Sequence, residues 1–459
     1  MRKNLYLCCQ PCLTRKSEIK WGACGMSECR LDEICNIYDC PHYTAENEGK
    51  GYALIRTPNV GRGRLIMSDV HRVSFENYKK RNARATPECG DLIFAREAPA
   101  GNIAVIQNGE AVCLGQRTVL LKPNPKIVNA YYLAYNILTP WQQRRLLAPS
   151  AGSIVSHVNL KDIKAFTLTL PTIEQQKIIA QVLCALDDKI ELNRRLNDNL
   201  EAMAQALYDY WFVQFDFPDE NGNPYKSSGG KMVWNEVLNR EIPRGWSCGQ
   251  LGDIIQANPT EHLNKGAVAP YIAMEALSTT RYLTDEPEKK AYAGGMKFKN
   301  KDILIARITP CLENGKTALV HDLKDKEVGF GSTEYIVIRG KLFSLPTFCI
   351  CLARSKEFRP YAISKMTGTS GRRRLDYKDV EAYKLPIPPA SLLCKFENWG
   401  AGVLDKMHKA LVQSRILEKQ RDFLLPLLMN GQVQVKPLNY RLYPLLVARF
   451  SMAGKISRP

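Results

Sequence analysis

Between residues 173 and 217 apolar side chains recur mostly in steps of three and four, at Ile179, Leu183, Leu186, Ile190, Leu196, Leu200, Met203, Leu207 and Trp211. That period keeps one stripe of a helix facing a partner. The stretch contains neither glycine nor proline, and Asn193 interrupts the stripe where an apolar residue is due. A helix of ~40 residues is ~60 Å long, longer than a small domain is wide. It therefore reads as a spacer between two bodies; an ordinary bundle helix is the alternative, and periodicity uninterrupted beyond ~25 residues argues against it.

On both sides of this stretch the pattern changes. Within residues 26–172 the short apolar runs YALIR, RLIM, DLIFAR, GNIAVI and RTVLLKP alternate with Gly, Pro and Asn breakers and predict strands. A helical pattern, NAYYLAYNILTPWQQRRLLA, follows, then the loop PSAGSIVSHVNLKDI and a last strand, FTLTLP. The result is a mixed α/β domain. Residues 218–245, dense in Pro, Gly, Ser and Asn, read as a linker of turns.

From Trp246 to residue 388 the parts of the first domain recur in order. QLGDII answers RLDEIC, KDILIAR answers GDLIFAR, GSTEYIVI answers GQRTVLL, and LDYKDVEAYKLPIP answers VNLKDIKAFTLTLP. A second helical segment occupies 389–435, its pattern clearest from about Gly402 to Met429, with Leu404, Met407, Leu411, Leu417, Leu424 and Leu428 on its apolar side. Gly400, Gly402 and Pro426 weaken it. Two copies of domain-then-helix predict α/β (α+β) domains in tandem repeat, separated by two long antiparallel coiled-coil helices. Residues 1–25 read as a loosely held extension and 436–459 as a C-terminal tail.

Composition narrows the function classes. At 459 residues the chain is too long for one core, and 45% hydrophobic with 24% charged residues fits a globular protein. No apolar run is long enough to span a membrane, and the start MRKNLYLCCQPCLTRK lacks the apolar core of a secretory signal, so a cytoplasmic protein with no membrane partner is expected. The formal net charge of +18 favours a polyanion, nucleic acid first, over an acidic protein. Seven of the fifteen cysteines precede residue 41, but Cys9 and Cys12 form a CxxC with no second pair of that spacing, so no metal site is expected.

Candidate chemistry is of the binding kind. Gly315, Lys316 and Thr317 spell the end of a phosphate-binding loop, but position 310 is Pro where the backbone cradle needs glycine. No HExxH, GxSxG, strand-borne GxGxxG or Asn-Pro-Pro-aromatic sequence occurs, the six histidines are scattered, and no catalytic residue is assigned. Basic residues do cluster at Gly-rich turns: Arg62 and Arg64 in NVGRGRL, Arg96 in FAREAPAG, Arg307 in ARITPC, and Arg372, Arg373 and Arg374 beside Thr369 and Ser370 in GTSGRRRLDY. Arginine pairs bidentately with guanine in the major groove and with phosphate on the backbone.

From about Arg30 to Val435 the chain resembles the specificity (S) subunits of type I restriction-modification systems. The resemblance is carried by FAREAPAGNIAVI with LGQRTVLLKP, by ARITPCLENGKTAL with GSTEYIVIR, and by LPTIEQQKIIAQVLCALDDKIELNRRLNDNLEAMAQALYDYWFV. It implies two target recognition domains, each reading half of a bipartite double-stranded DNA sequence, in a protein without catalysis of its own. It also implies helices that bind modification (methyltransferase) subunits through Ile179, Leu183, Leu186, Ile190, Leu200, Leu207 and Trp211, and restriction (endonuclease) subunits that complete the complex. S-adenosylmethionine, ATP and Mg are then expected on the partner subunits and no cofactor on this chain. By carry-over the reading loops lie around Arg62, Arg96 and Gln116 in one domain, and around Arg307 and Arg372 to Arg374 in the other. The rival readings are a methyltransferase or nuclease acting alone, and a coiled-coil scaffold with incidental basic charge.

Overall fold

The computed structural model describes residues 27–107, 109, 111–148, 156–369, 371–433 and 435. The N-terminal extension, the C-terminal tail and Ser370 lie outside the described residues. The chain divides into two compact units, the described residues of Met1–Asp188 with Glu418–Pro459, and Lys189–Leu417.

In the first unit a five-stranded sheet runs in the order Cys35–Asp39, Thr118–Pro123, Leu92–Ala95, Ile103–Val105, Gly63–Arg64. All its pairings are antiparallel except the last. Its central strands are apolar at consecutive positions because both faces are covered. Leu92, Phe94, Val119 and Leu121 pack toward the helices Ala130–Ile137, Pro140–Leu147 and Leu160–Ala165. Ile93, Ala95, Ala104 and Leu120 face a second core beneath a three-stranded sheet, in which Tyr52–Ile55 pairs parallel with Val112–Leu114 and antiparallel with His71–Val73.

The second unit repeats this plan. Ile255–Ala257, Tyr335–Gly340, Ile303–Ala306 and Thr317–Leu319 form the equivalent sheet, with Ile303 and Ile305 on one face and Leu304 on the other. A second sheet again holds one parallel pair, Val268–Ile272 with Gly329–Gly331. In each domain the ends are tied by an antiparallel pair, Ser27–Arg30 with Thr167–Leu170 and Ser247–Gln250 with Lys384–Ile387, just before the chain enters a long helix. The segment 218–245, expected to be a linker of turns, carries a hairpin of Met232–Asn235 and Arg240–Pro243, in which Ile242 is buried.

The central helix runs Ile173–Tyr208 and ends in a π-helical turn, Asp209–Val213, short of the expected residue 217. The Gln214 N–H reaches back five residues to the Asp209 carbonyl at 2.8 Å, and Phe215 then takes φ +67°, which ends the helix. The C-terminal helix, expected to be the weaker, is the longer, Ala390–Met429. Gly400 is there for close approach, since a Cβ would lie 2.2 Å from the Thr347 hydroxyl oxygen, and Pro426 falls in the last turn, so its missing N–H interrupts the helix only at its end.

The inward stripe of the central helix differs from the apolar pattern. Leu183 and Leu200 are buried as expected, but Leu196 and Met203 are exposed, while Gln176, Asp187 and Asn193 are buried. Each buried polar residue has a partner, which is what makes its burial tolerable. Gln176 accepts from the Asn129 N–H and donates to the Ile127 and Pro171 carbonyls. Asp187 accepts from the Tyr135 hydroxyl and from Arg421, and Asn193 donates to Gln413 at 2.9 Å. Within the first unit Leu183 clusters with Leu425 and Leu428; within the second, Phe212 meets Phe396 edge-on at 5.1 Å. The partners' numbers fall as the central helix advances, so within each unit the two helix segments run antiparallel.

Candidate nucleic-acid interface

Strand Ile303–Ala306 delivers Arg307 to a junction of three loops. The Arg307 N–H donates to the Glu334 carbonyl at 2.9 Å, and its own carbonyl accepts from the Leu375 N–H at 2.8 Å. Beside it Ile308 pairs with Arg374 across an isolated antiparallel bridge, and Arg374 exchanges backbone hydrogen bonds with Thr367 at 2.8 and 2.9 Å. The Arg374 guanidinium lies along the Glu334 carboxylate, with Nε 3.0 Å from both oxygens and Nη2 2.7 Å from one. That contact holds Glu334 below the usual carboxylate range.

The other arginines of the run differ. Arg373 donates through Nη2 to the Ile363 carbonyl at 2.9 Å, and its Nε is buried with no partner among the described residues, as is the Nε of Arg307. Arg372 is exposed, and its guanidinium makes no hydrogen bond or ion pair among the described residues. Thr369 is exposed at the turn, its carbonyl accepting the Arg372 N–H. Arg359, which the sequence pattern did not single out, adds a further cation, since a Cβ on Gly315 would lie 2.4 Å from its Nη1. Lys316 does not face an empty cradle: its Nζ donates to the Met274 carbonyl at 2.9 Å.

The first domain builds the same junction from different side chains. The Arg96 N–H donates to the Arg117 carbonyl at 2.9 Å, its carbonyl accepts from the Val158 N–H at 3.0 Å, and Glu97 bridges to His157. Arg96 itself is folded inward: Nε donates to the Val158 carbonyl at 3.0 Å, Nη1 lies 3.4 Å from Asp39, and Nη2 3.2 Å from His157. Its side chain therefore holds loops together and does not present a free edge. Gln116 donates to the His42 carbonyl at 3.1 Å. Its neighbour Arg117, missed at the sequence level, is the exposed cation here; it pairs with Glu97, whose other oxygen lies 2.7 Å from His157 Nδ1. A left-handed φ of +61° at Arg117 is a signal that sequence does not display.

Arg62 and Arg64 do not join the Arg96 junction. They flank Gly63 on the edge strand of the sheet, where Arg62 donates to the Leu138 carbonyl at 3.1 Å and Arg64 pairs with Asp188 of the central helix.

The helix residues expected to bind partner subunits also turn inward. Leu183 and Leu200 are buried, and Ile179, Leu207 and Trp211 pack against the cores of their own units, with Leu186 and Ile190 half-buried. On the long-helix segments of the second unit the large apolar side chains left exposed are others: Leu192, Leu196, Met203 and Tyr210 on the central helix and Ile416 on the C-terminal one. On the central helix Glu201 accepts the Tyr282 N–H at 2.7 Å, and burial pushes its carboxyl up to about 7. Among the described residues no group of three or more His, Cys, Asp or Glu could hold a metal ion, and no helix is long and apolar enough to cross a membrane.

Residues 25–202 and 243–392 match the family model described as the type I restriction modification DNA specificity domain. The chain is 28% identical over 375 residues to the type I restriction enzyme MjaIX specificity subunit of Methanocaldococcus jannaschii, covering 78% of this chain and 81% of that one. It is 20% identical over 400 residues to the HindI specificity subunit of Haemophilus influenzae, covering 75% and 86%. In fold it is similar to the crystal structure of a type I restriction-modification S subunit from M. genitalium, with a TM-score of 0.52 at 16% identity over 89% of this chain and 98% of that one. With two matched segments that fall on the two α/β domains, the chain belongs to the type I restriction-modification DNA specificity family.

Proposed function

We propose that this chain is the DNA-specificity subunit of a type I restriction-modification complex, each domain reading one half of a bipartite duplex target. The observation that carries this reading is the duplicated loop junction, built on equivalent backbone hydrogen bonds and lined in both copies by arginine. Nucleic-acid binding proteins read separated half-sites by presenting one reader twice, and here both readers belong to one chain. Catalysis belongs to partners: modification subunits that carry S-adenosylmethionine, and restriction subunits that use ATP and Mg. The exposed stripe of Leu192, Leu196, Met203, Tyr210 and Ile416 supports a docking role for the helices, with these residues in place of the inward-facing ones. The complex works in the cytoplasm.

Methylation mapping in cells with and without the gene tests the reading. A methylated sequence with two specified parts around an unspecified gap is expected. Purified chain that methylated or cleaved DNA without partners would overturn it, as would DNA affinity that stayed flat between low and moderate salt.

A further inference from the structure

At both junctions an arginine is paired with a carboxylate, edge-on at Arg374 and through Nη1 alone at Arg117, but the two domains supply the pair from different positions. By the backbone hydrogen bonds, Arg96, Arg117 and His157 of the first domain correspond to Arg307, Glu334 and Arg374 of the second, and Glu97 to Ile308. The first domain pairs Arg117 with Glu97; the second pairs Arg374 with Glu334. At one equivalent place, Arg117 against Glu334, the sign is reversed, and Glu97 stands where the second domain has the neutral Ile308, yet each junction keeps an exposed guanidinium paired with one carboxylate. A merely incidental surface ion pair has no reason to recur in this way.

We propose that Arg374 and Arg117, oriented by Glu334 and Glu97, are specificity-determining residues that read guanine in the two half-sites; the assignment rests on the DNA-reading function proposed above. A guanidinium has five donors. Glu334 engages Nε and one Nη2 hydrogen of Arg374, which leaves the Nη1 side free on a side chain still 44% exposed. Arg117, held through Nη1, is 60% exposed. The free fork matches the O6 and N7 acceptors of guanine in the major groove, and fixing its direction beforehand lowers the ordering cost of binding. Phosphate fits this arrangement less well, because a carboxylate already paired with the guanidinium repels a second anion while tolerating the neutral edge of a base. Arg372, exposed and unpaired among the described residues, suits phosphate better. Glu334 and Glu97 act through the arginines and are positioning residues.

The test assembles the full chain with its modification subunits and selects from a pool of randomised duplexes, with sequencing of what is bound. Arg374→Ala is expected to erase a guanine preference of about tenfold to hundredfold at one position of one half-site. The other half-site and the salt dependence stay as in wild type. Arg117→Ala does the same in the other half-site. Glu334→Gln and Glu97→Gln, close in size to the residues they replace, weaken the same preferences without lowering affinity for non-target DNA. Equal weakening on every sequence, with a salt slope shallower by about one, would make Arg374 a phosphate contact and overturn the assignment. Unchanged preferences in both half-sites, with a bipartite sequence still selected by wild type, would overturn the assignment alone. A wild-type complex that selects no bipartite sequence would overturn the DNA-reading function and this assignment with it.

Discussion

In the first domain the arginine that follows the sheet strand, Arg96, turns inward onto Val158, Asp39 and His157, whereas its counterpart Arg307 in the second keeps Nε without a partner among the described residues. The backbone of the two junctions is nearly the same; the charges upon it are not. The first places carboxylates, Asp39 and Glu97, among its cations, and the second carries Arg307, Arg359 and the run Arg372 to Arg374, of which Arg374 pairs with Glu334. Backbone hydrogen bonds can be satisfied by any residue type, so a duplicated frame holds its shape while its side chains diverge. This is how one fold can present two different reading surfaces.

The helix caps offer the largest test of the comparison. In the first domain helix Ala130–Ile137 is capped by the neutral side chain of Asn129, whose own N–H bonds to Gln176. In the second, Leu345 precedes helix Pro346–Ala353 and cannot cap it, so Glu397 of the C-terminal helix accepts the Thr347 and Phe348 N–H groups. Burial pushes the Glu397 carboxyl up to about 7 from an ordinary 4.5. The folded chain therefore keeps a proton that the unfolded chain releases. The stability this contributes is fully present below about pH 4.5 and is lost as pH rises through 7. Urea unfolding of wild type against Glu397→Gln should show the difference falling by up to about 3 kcal/mol between pH 5 and pH 8. Gln176→Ala in the first domain should show no such trend.

The junction arginines come next. Arg96→Ala removes a guanidinium with three inward contacts and should cost about 2 kcal/mol by urea unfolding. Arg307→Ala should cost less than about 1 kcal/mol and act on DNA binding instead. Equal costs would erase the distinction drawn between the two junctions.

A smaller effect is expected where the helices meet. Asn193→Leu removes a buried amide whose partner, Gln413, is exposed and can turn to water, so it should cost no more than about 1 kcal/mol, whereas Gln413→Leu leaves Asn193 buried without its partner and should destabilise by about 1–2 kcal/mol. In the first unit the matching polar contact is the Asp187–Arg421 pair, which also holds Tyr135. There Asp187→Leu should cost more than Asn193→Leu, because a charge loses its partner. The smallest effect on the fold is at Arg372. Arg372→Ala should change stability by less than about 0.5 kcal/mol while lowering the salt slope of DNA binding by about one.

Much of the architecture was legible in the chain itself. Continuous apolar strands such as DLIFAR and KDILIAR, repeated in order, specify a duplicated α/β domain because a sheet covered on both faces needs apolar residues at every position. A stretch of more than thirty residues without glycine or proline determines a long helix. The helix's inward stripe was legible only in part. Gln176, Asp187 and Asn193 interrupt the apolar period yet are buried, because their partners come from residues as distant as Arg421 and Gln413. Leu196 and Met203 keep the period yet face outward.

At the reading loops the sequence alone determined that arginines gather at Gly-rich turns and that the chain carries a large positive charge. Only the tertiary structure decided which of them are engaged within the protein and which stand free. Arg96 and Arg373 are drawn to carbonyls tens of residues or a loop away, Arg64 to a helix carboxylate, and Arg117 to an acidic residue that lies twenty positions earlier in the chain. Composition records how many charges there are. Their directions depend on contacts between segments far apart in sequence, and those exist only once the chain has folded.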